Sequence, residues 1–249
     1  MIWARPPPPF CPSTRPGLGY GELAVEGLAL LPAFCGVRAL IKAMVCFERG
    51  GEGDAGAAHA YLELAERCAG PADVRLVGIG GLSGTGKSTL AEALAPELGP
   101  PPGGLVIRAD LERKALEGVG WRDPLPKSAY TREASRRVYD RQRDKALRAL
   151  RGGCPVVMDA VHSREDERTA LERVAQAAGA PFLGLWLEAQ PDVIRDRVAA
   201  RRNDPSDADL EVVDKQAGYD AGAIEWTRID ASAGSRAVLA AARGAAGLA

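Results

Sequence analysis

The chain has 249 residues, 46% of them hydrophobic, and 32 Lys and Arg stand against 33 Asp and Glu for a net charge of −1. This composition fits a soluble globular chain of one ordinary domain plus some extra length. The near balance of charge gives no global basic field that would advertise nucleic acid or an anionic membrane. The five cysteines (Cys11, Cys35, Cys46, Cys68 and Cys154) are odd in number and never spaced as CxxC, and there are only two histidines. That pattern argues against a structural zinc site and a histidine-based triad, and for reduced thiols packed as small hydrophobes.

Residues 1–19 hold six prolines and show no periodicity, so they read as disordered or extended. They lack a basic stretch followed by an apolar core, so no signal peptide is expected. Residues 20–48 read as an apolar helical stretch. Its longest apolar run, GLALLPAFCGV, is broken at Arg38 and Lys42, too short and too soon charged to span a bilayer. A cytoplasmic protein without a membrane partner is therefore expected. A flexible turn, RGGEGDAGAA, separates this stretch from a second helix, AHAYLELAERCA, which stops at Gly70-Pro71.

From Val74 onward, short β-like runs alternate with helical ones. VRLVGIGG is the first strand, and KSTLAEALAPEL follows with Leu90, Ala91, Leu94, Ala95 and Leu98 on one stripe. GLVIRAD gives a second strand, 131–151 an arginine-rich helix, and PVVMDAV a third strand with the continuous apolar run of a buried parallel strand. Ser163-x-x-Asp166 reads as a capping box opening the next helix. FLGLWLEA, PDVIRDRVAARR and TRIDAS then supply a strand, a helix and a last strand before the alanine-rich tail. Such alternation predicts an α/β fold, a parallel sheet with helices on both faces.

Five of the nine residues from Gly78 to Gly86 are glycine, and GLSGTGKS over 81–88 matches G-x-x-x-x-G-K-[ST] between a strand and a helix. The backbone N–H groups of such a loop wrap a polyphosphate, where Cβ atoms would obstruct both approach and dihedrals. The helix start adds its unsatisfied N–H groups and positive dipole end. Gly81, Ser83, Gly84, Thr85, Gly86, Lys87, Ser88 and Thr89 form the predicted nucleotide-binding set. Within it, Lys87 reaches the β- and γ-phosphates and Ser88 ligates Mg²⁺.

Ligands of a doubly wound sheet gather at the carboxyl ends of its strands. Asp110 is predicted to end the second strand and Asp159 the third. Asp159 fits the position that holds Mg²⁺, and Asp110 one that accepts a proton from a substrate hydroxyl or serves the metal. Either could instead be only a helix N-cap. Arg113 lies one turn past Asp110 and could hold a substrate or the γ-phosphate, or be a surface arginine. Arg197 and Arg201 share a helical face, with Arg202 adjacent and the acidic turn DPSDAD beyond. They read either as a lid closing over the triphosphate or as a solvated face. In the 131–151 helix, Glu133, Asp140 and Asp144 interleave with the arginines, so intrahelical pairing accounts for much of the charge.

Together, GIGGLSGTGKSTLAEALAPELG, VIRADLERK, PVVMDAVHSREDER, GLWLEAQPDVIRDRVAARRNDPSDAD and YDAGAIEWTRIDAS resemble the small P-loop kinase family of polynucleotide-kinase-like and gluconate-kinase-like enzymes. They look most like the C-terminal P-loop domain of bacterial proteins that fuse an aminoglycoside-phosphotransferase-like domain to such a kinase. The resemblance spans about 72–240. It implies a five-stranded parallel sheet in nucleoside-kinase-like order, ATP with Mg²⁺, and transfer to a hydroxyl. It also implies an acceptor-activating Asp110 with Arg113, and lid arginines around Arg197, Arg201 and Arg202. Residues 20–71 look like the last helices of the upstream domain, whose core is absent, so the chain reads as a truncated or split form with its kinase domain over 72–249. That leaves room for a separately encoded phosphotransferase-like domain docking on 20–70. The leading expectation is an ATP-dependent kinase of a small molecule. A nucleotide-binding regulatory module and a nucleic-acid 5′-hydroxyl kinase are the rivals, although the charge balance argues against nucleic acid.

Overall fold

The computed structural model describes residues 25, 27–51, 53–200, 204–219 and 221–248. Two helices come first, α1 (Leu31–Arg49) and α2 (Asp54–Cys68). Their small residues, Gly36, Ala39 and Ala43 on α1 and Ala58, Ala65 and Cys68 on α2, are buried, with Gly36 seated against Cys68. The opposite face of α1 exposes Leu30 just ahead of it, then Phe34, Val37, Ile41 and Met44 at helical spacing. The helical run Gly27–Arg49 passes through Arg38 and Lys42 without a break. Its 23 residues, whose most apolar 18-residue stretch has a mean hydropathy of 1.8, are long and apolar enough to cross a membrane. The continuous helix agrees with the reading of 20–48 as one helical stretch; the expectation it revises is that the apolar run is too short to span a bilayer.

The remaining elements are β1 (Leu76–Gly81), α3 (Lys87–Leu94), β2 (Leu105–Arg108), α4 (Ala109–Leu116), α5 (Arg132–Arg151), β3 (Val156–Asp159), α6 (Glu165–Ala178), β4 (Phe182–Glu188), α7 (Pro191–Ala200), α8 (Leu210–Ala217), β5 (Thr227–Asp230) and α9 (Ser235–Ala246). The five strands form one parallel sheet in the order β2-β3-β1-β4-β5. This is the α/β P-loop kinase-like fold that the alternation and the resemblance predict.

Alternate residues of each strand serve opposite faces. Val77, Ile79, Val106, Val157, Leu185 and Leu187 pack under Leu90, Ala91 and Leu94 of α3 and Val238 and Ala242 of α9. Leu76, Leu105, Ile107, Val156 and Met158 face Ala146, Ala149 and Leu150 of α5 and Leu171, Val174 and Ala175 of α6. On that second face the Trp226 indole lies directly over Gly184, in the space a Cβ would fill, and its Nε1–H donates to Glu172 at 2.9 Å. Cys35, Cys46, Cys68 and Cys154 are free thiols.

Three local expectations need correction. Asp110 does not end β2. The strand stops at Arg108, and Asp110 sits in the first turn of α4. Helix α6 is entered one residue later than Ser163-x-x-Asp166 predicts, because Glu167 accepts from the Arg164 backbone N–H at 3.2 Å. In α5, Arg143 pairs with Asp140 on its own helix, but Arg141 and Lys145 reach across to Glu112 of α4 at 2.8 and 2.6 Å.

Candidate active site

Because β1 is flanked by β3 on one side and β4 on the other, the chain reverses its winding there, and the crevice at that switch point receives the loop after β1. Gly81, Gly84 and Gly86 have φ of 135°, 86° and 96°, conformations that side-chain-bearing residues rarely adopt. A Cβ at Gly84 would also stand 2.8 Å from Ile194 and 2.9 Å from Val198 of α7. The loop is pinned from within. Thr85 Oγ1 donates to Leu82 O at 2.8 Å, Lys87 Nζ donates to the same oxygen at 2.9 Å, and Gly81 N–H donates to Val161 O at 3.1 Å. Lys87, Ser88 and Thr89 form the first turn of α3, whose N–H groups have no partner within the helix.

Ser83–Thr89 line a cleft of about 1510 Å³ that also takes in Asp110, Arg113, Asp159, Arg197 and Gln216. The structure therefore brings together the sequence-predicted residues it describes. Arg201 and Arg202 lie outside the described residues.

Asp159, the last residue of β3, is 5% exposed and accepts from Ser88 Oγ at 2.6 Å. Burial raises its carboxyl above the usual range, against the opposing pull of Lys87, Arg108 and the Ser88 hydroxyl. Arg108 was not singled out from the sequence. It is itself buried at the end of β2, and it faces three carboxylates: Glu92 at 3.2 Å, Asp159 at 3.4 Å and Asp204 at 3.4 Å. An arginine closing an apolar strand directly before a predicted site carboxylate was the signal available.

Arg113 is buried and donates through Nη1 to Ala129 O at 2.7 Å and Ser135 Oγ at 3.3 Å, with its guanidinium 4.9 Å from the centre of the Tyr130 ring. It fastens the 126–135 segment to α4 along the cleft wall. Asp207 fastens the same wall from the other side, accepting from Lys114 Nζ at 3.0 Å, Leu125 N–H at 3.2 Å and Tyr130 Oη at 2.7 Å. The acidic turn after α7 is thus folded across the site. Arg197 is half-buried at the rim, donating to Ala233 O at 3.3 Å.

His162 follows Asp159 by three residues in a left-handed backbone conformation, φ 47°, uncommon for a residue other than glycine. Its ring stacks on Tyr139 at 5.8 Å and meets the edge of Trp226 at 5.5 Å. Its carbonyl accepts from Arg168 at 3.0 Å. Burial, reinforced by the charges of Lys87, Arg168 and Arg143, lowers the imidazole to about 3, so it is neutral. Tyr139 and Glu167, both on the cleft wall, are each raised above their ordinary range, chiefly by burial.

Helix α8 was missed from the sequence, although Asp209 caps it by accepting from Val212 N–H at 3.0 Å. Its Val213 clusters with Ile194 and Val198 of α7. Its Gln216 accepts from Ser83 N–H of the phosphate loop at 2.7 Å.

The fold agrees with known proteins. The chain is 33% identical over 196 residues to uncharacterized proteins of Mycobacterium tuberculosis and Mycobacterium bovis, an alignment covering 74% of this chain and 39% of each relative. The chain thus spans about two-fifths of the length of the curated relatives it matches. Among solved structures, a sugar kinase from Janibacter sp. HTCC2649 superposes with a TM-score of 0.51 at 20% identity, over 71% of this chain and 96% of that one. The tunicamycin resistance protein of Deinococcus radiodurans gives 0.50 at 20%, over 71% and 97%. At these identities the likeness is one of fold. Residues 76–219, more than half of the sequence, match the AAA domain family from the first strand through α8, and the chain belongs to that family.

Proposed function

We propose that this chain is an ATP-dependent kinase that transfers the γ-phosphoryl group of MgATP to a hydroxyl of a small molecule. One observation carries the reading: the Ser88–Asp159 pair lies at the foot of a phosphate loop, in one cleft with the partly exposed carboxylate of Asp110. The kinase named among the structures of the same fold supports it.

In this reading the amides of Gly84 and of Gly86 to Thr89 bind the β- and γ-phosphates, and Lys87 leaves Leu82 O to neutralise their charge. Ser88 and Asp159 offer only oxygen, the donor set a hard divalent cation takes, and would hold Mg²⁺. When bound, the ion screens the negative charge of the β- and γ-phosphates. Asp110 takes the proton of the acceptor hydroxyl as its oxygen attacks the γ-phosphorus. The bond to the β–γ bridging oxygen breaks, and ADP leaves. Arg197, with Arg201 and Arg202, would neutralise charge developing on the phosphoryl group. Arg113, tied to Ala129 and Ser135, acts by holding the acceptor wall in place.

A small acceptor suits the charge pattern better than nucleic acid, since Arg141 and Lys145 of α5 are spent on Glu112. The exposed apolar stripe on α1 favours a second role for that helix, as a docking surface beside the kinase domain. The kinase reading is tested by assaying acceptor-stimulated ADP release from pools of sugars, nucleosides, aminoglycosides and 5′-hydroxyl oligonucleotides, with wild type and Asp110→Asn side by side. Turnover should fall at least a hundredfold in the variant while ATP affinity holds. Equal turnover in both proteins contradicts the role of Asp110.

A further inference from the structure

The carboxamide of Gln216 occupies an unusual place. It reaches the phosphate loop from α8, 133 residues away along the chain, and the side chain is more than nine-tenths buried. The Ser83 N–H can only meet an acceptor, so the bond at 2.7 Å fixes the oxygen of the amide toward the loop. The nitrogen is thereby turned the other way with two N–H donors. Among the described residues no acceptor takes them, and the residue lines the same cleft as Ser83–Thr89.

Two donors held beside an anion-binding loop suit a phosphate oxygen. The anchor point narrows which one. Ser83 is the third residue of the loop, ahead of Gly86 and Lys87, where the positive end of the α3 dipole would hold the β-phosphate. The seat of α8 is also packed against the loop's own support, since Val213 clusters with Ile194 and Val198, the residues against which Gly84 lies. We infer that Gln216 is a catalytic residue that donates to the terminal phosphoryl group of the bound triphosphate, with Ser83 N–H as its orienting partner. Helix α8 thereby reports the presence of the γ-phosphate to the 204–209 segment that closes the acceptor wall through Asp207. The inference rests on the reading of the cleft as a triphosphate site.

The test is the affinity of wild type, Gln216→Leu, Gln216→Glu and Lys87→Ala for MgADP and for a non-hydrolysable MgATP analogue, by calorimetry, alongside each variant's melting temperature. Leucine keeps the bulk but neither accepts nor donates. Glutamate still accepts from Ser83 N–H but cannot donate, and its negative charge repels most the phosphate it faces, so a loss confined to the triphosphate separates phosphate contact from loop support even where the leucine variant fails to fold. Both Gln216 variants should bind the triphosphate analogue about tenfold more weakly, the scale of a hydrogen bond to a charged group, and hold ADP within about twofold. Equal weakening for both nucleotides would reduce Gln216 to a support of the loop, and no weakening would remove it from the site. Loss of both nucleotides in Lys87→Ala upholds the triphosphate site itself. Undiminished binding there, or no binding by wild type, overturns that reading and this assignment with it.

Discussion

The hydroxyl of Ser88 and the carboxylate of Asp159 meet at 2.6 Å, although 71 residues separate them along the chain. The register that pairs Ile79 with Asp159 across β1 and β3 sets this contact. The loop leaving β1 then returns Ser88 over the end of the neighbouring strand. Removing the hydroxyl deletes one of two oxygen donors while leaving the buried carboxylate paired with Arg108. Ser88→Ala should therefore fold normally and raise the Mg²⁺ concentration for half-maximal turnover about tenfold or more, the scale seen when groups that shape a metal site are removed. A magnesium titration of turnover checks this, and an unchanged midpoint would place the metal elsewhere.

Asp207 holds the acceptor wall from the acidic turn, and its principal partner Lys114 is only 2% exposed. Substituting Asp207→Ala leaves that ammonium buried without its carboxylate, a change that costs about 3 kcal/mol or more. Urea denaturation should show this loss, and Asp207→Asn should show less of it because its one amide oxygen still accepts from Lys114. Denaturation midpoints equal to wild type in both variants would mean that the segment is not fastened here.

Gly184 lies under Trp226 with no room for a methyl group. Gly184→Ala should destabilise the sheet by about 1–3 kcal/mol through overpacking, visible as a fall of several degrees in Tm. Nucleotide affinity should change little, because the contact lies on the sheet face away from the phosphate loop. A Tm within a degree of wild type would contradict the packing described.

His162 gives the fold a pH dependence of definite sign. Its imidazole titrates near 6.5 in an unfolded chain and at about 3 in the fold, lowered by burial and by the nearby charges of Lys87, Arg168 and Arg143. The unfolded state thus binds the extra proton. Stability from this residue is complete above pH 6.5 and is lost as pH falls from 6.5 toward 3, by at most about 1.4 kcal/mol per pH unit. His162→Asn tolerates the left-handed backbone and does not titrate. The stability difference between wild type and His162→Asn should shift against wild type between pH 7 and pH 5. A constant difference over that range would show the imidazole to be solvated.

Much of this site was legible in the sequence because its chemistry is local. The glycines from 78 to 86, the Lys87-Ser88 pair and an aspartate closing an apolar strand each announce themselves within a few residues. The strands were legible for the same reason, as short apolar runs between helical periodicities. What stayed hidden depends on juxtaposition. Arg108 looked like one more arginine until the sheet set it beside Asp159, Glu92 and Asp204. The capture of Ser83 N–H by Gln216 needs α7 and α8 folded over the loop, which no spacing reveals. The stretch 204–209 read only as an acidic turn beyond the lid arginines, since only the fold brings Lys114, Leu125 and Tyr130 around Asp207. The placement of Asp110 failed by two residues because the apolar run VIRAD does not mark where a strand ends and a helix begins.

The central claim is phosphoryl transfer from ATP to a hydroxyl at this loop. Its most direct test is the movement of γ-labelled phosphate from ATP to members of the acceptor pools by wild type and by Lys87→Ala at matched protein concentration. The account predicts a labelled organic product from wild type and its loss, by about a thousandfold or more, in a Lys87→Ala protein that melts like wild type. Label transferred equally by both proteins, or no labelled product from wild type with any acceptor class, would contradict it.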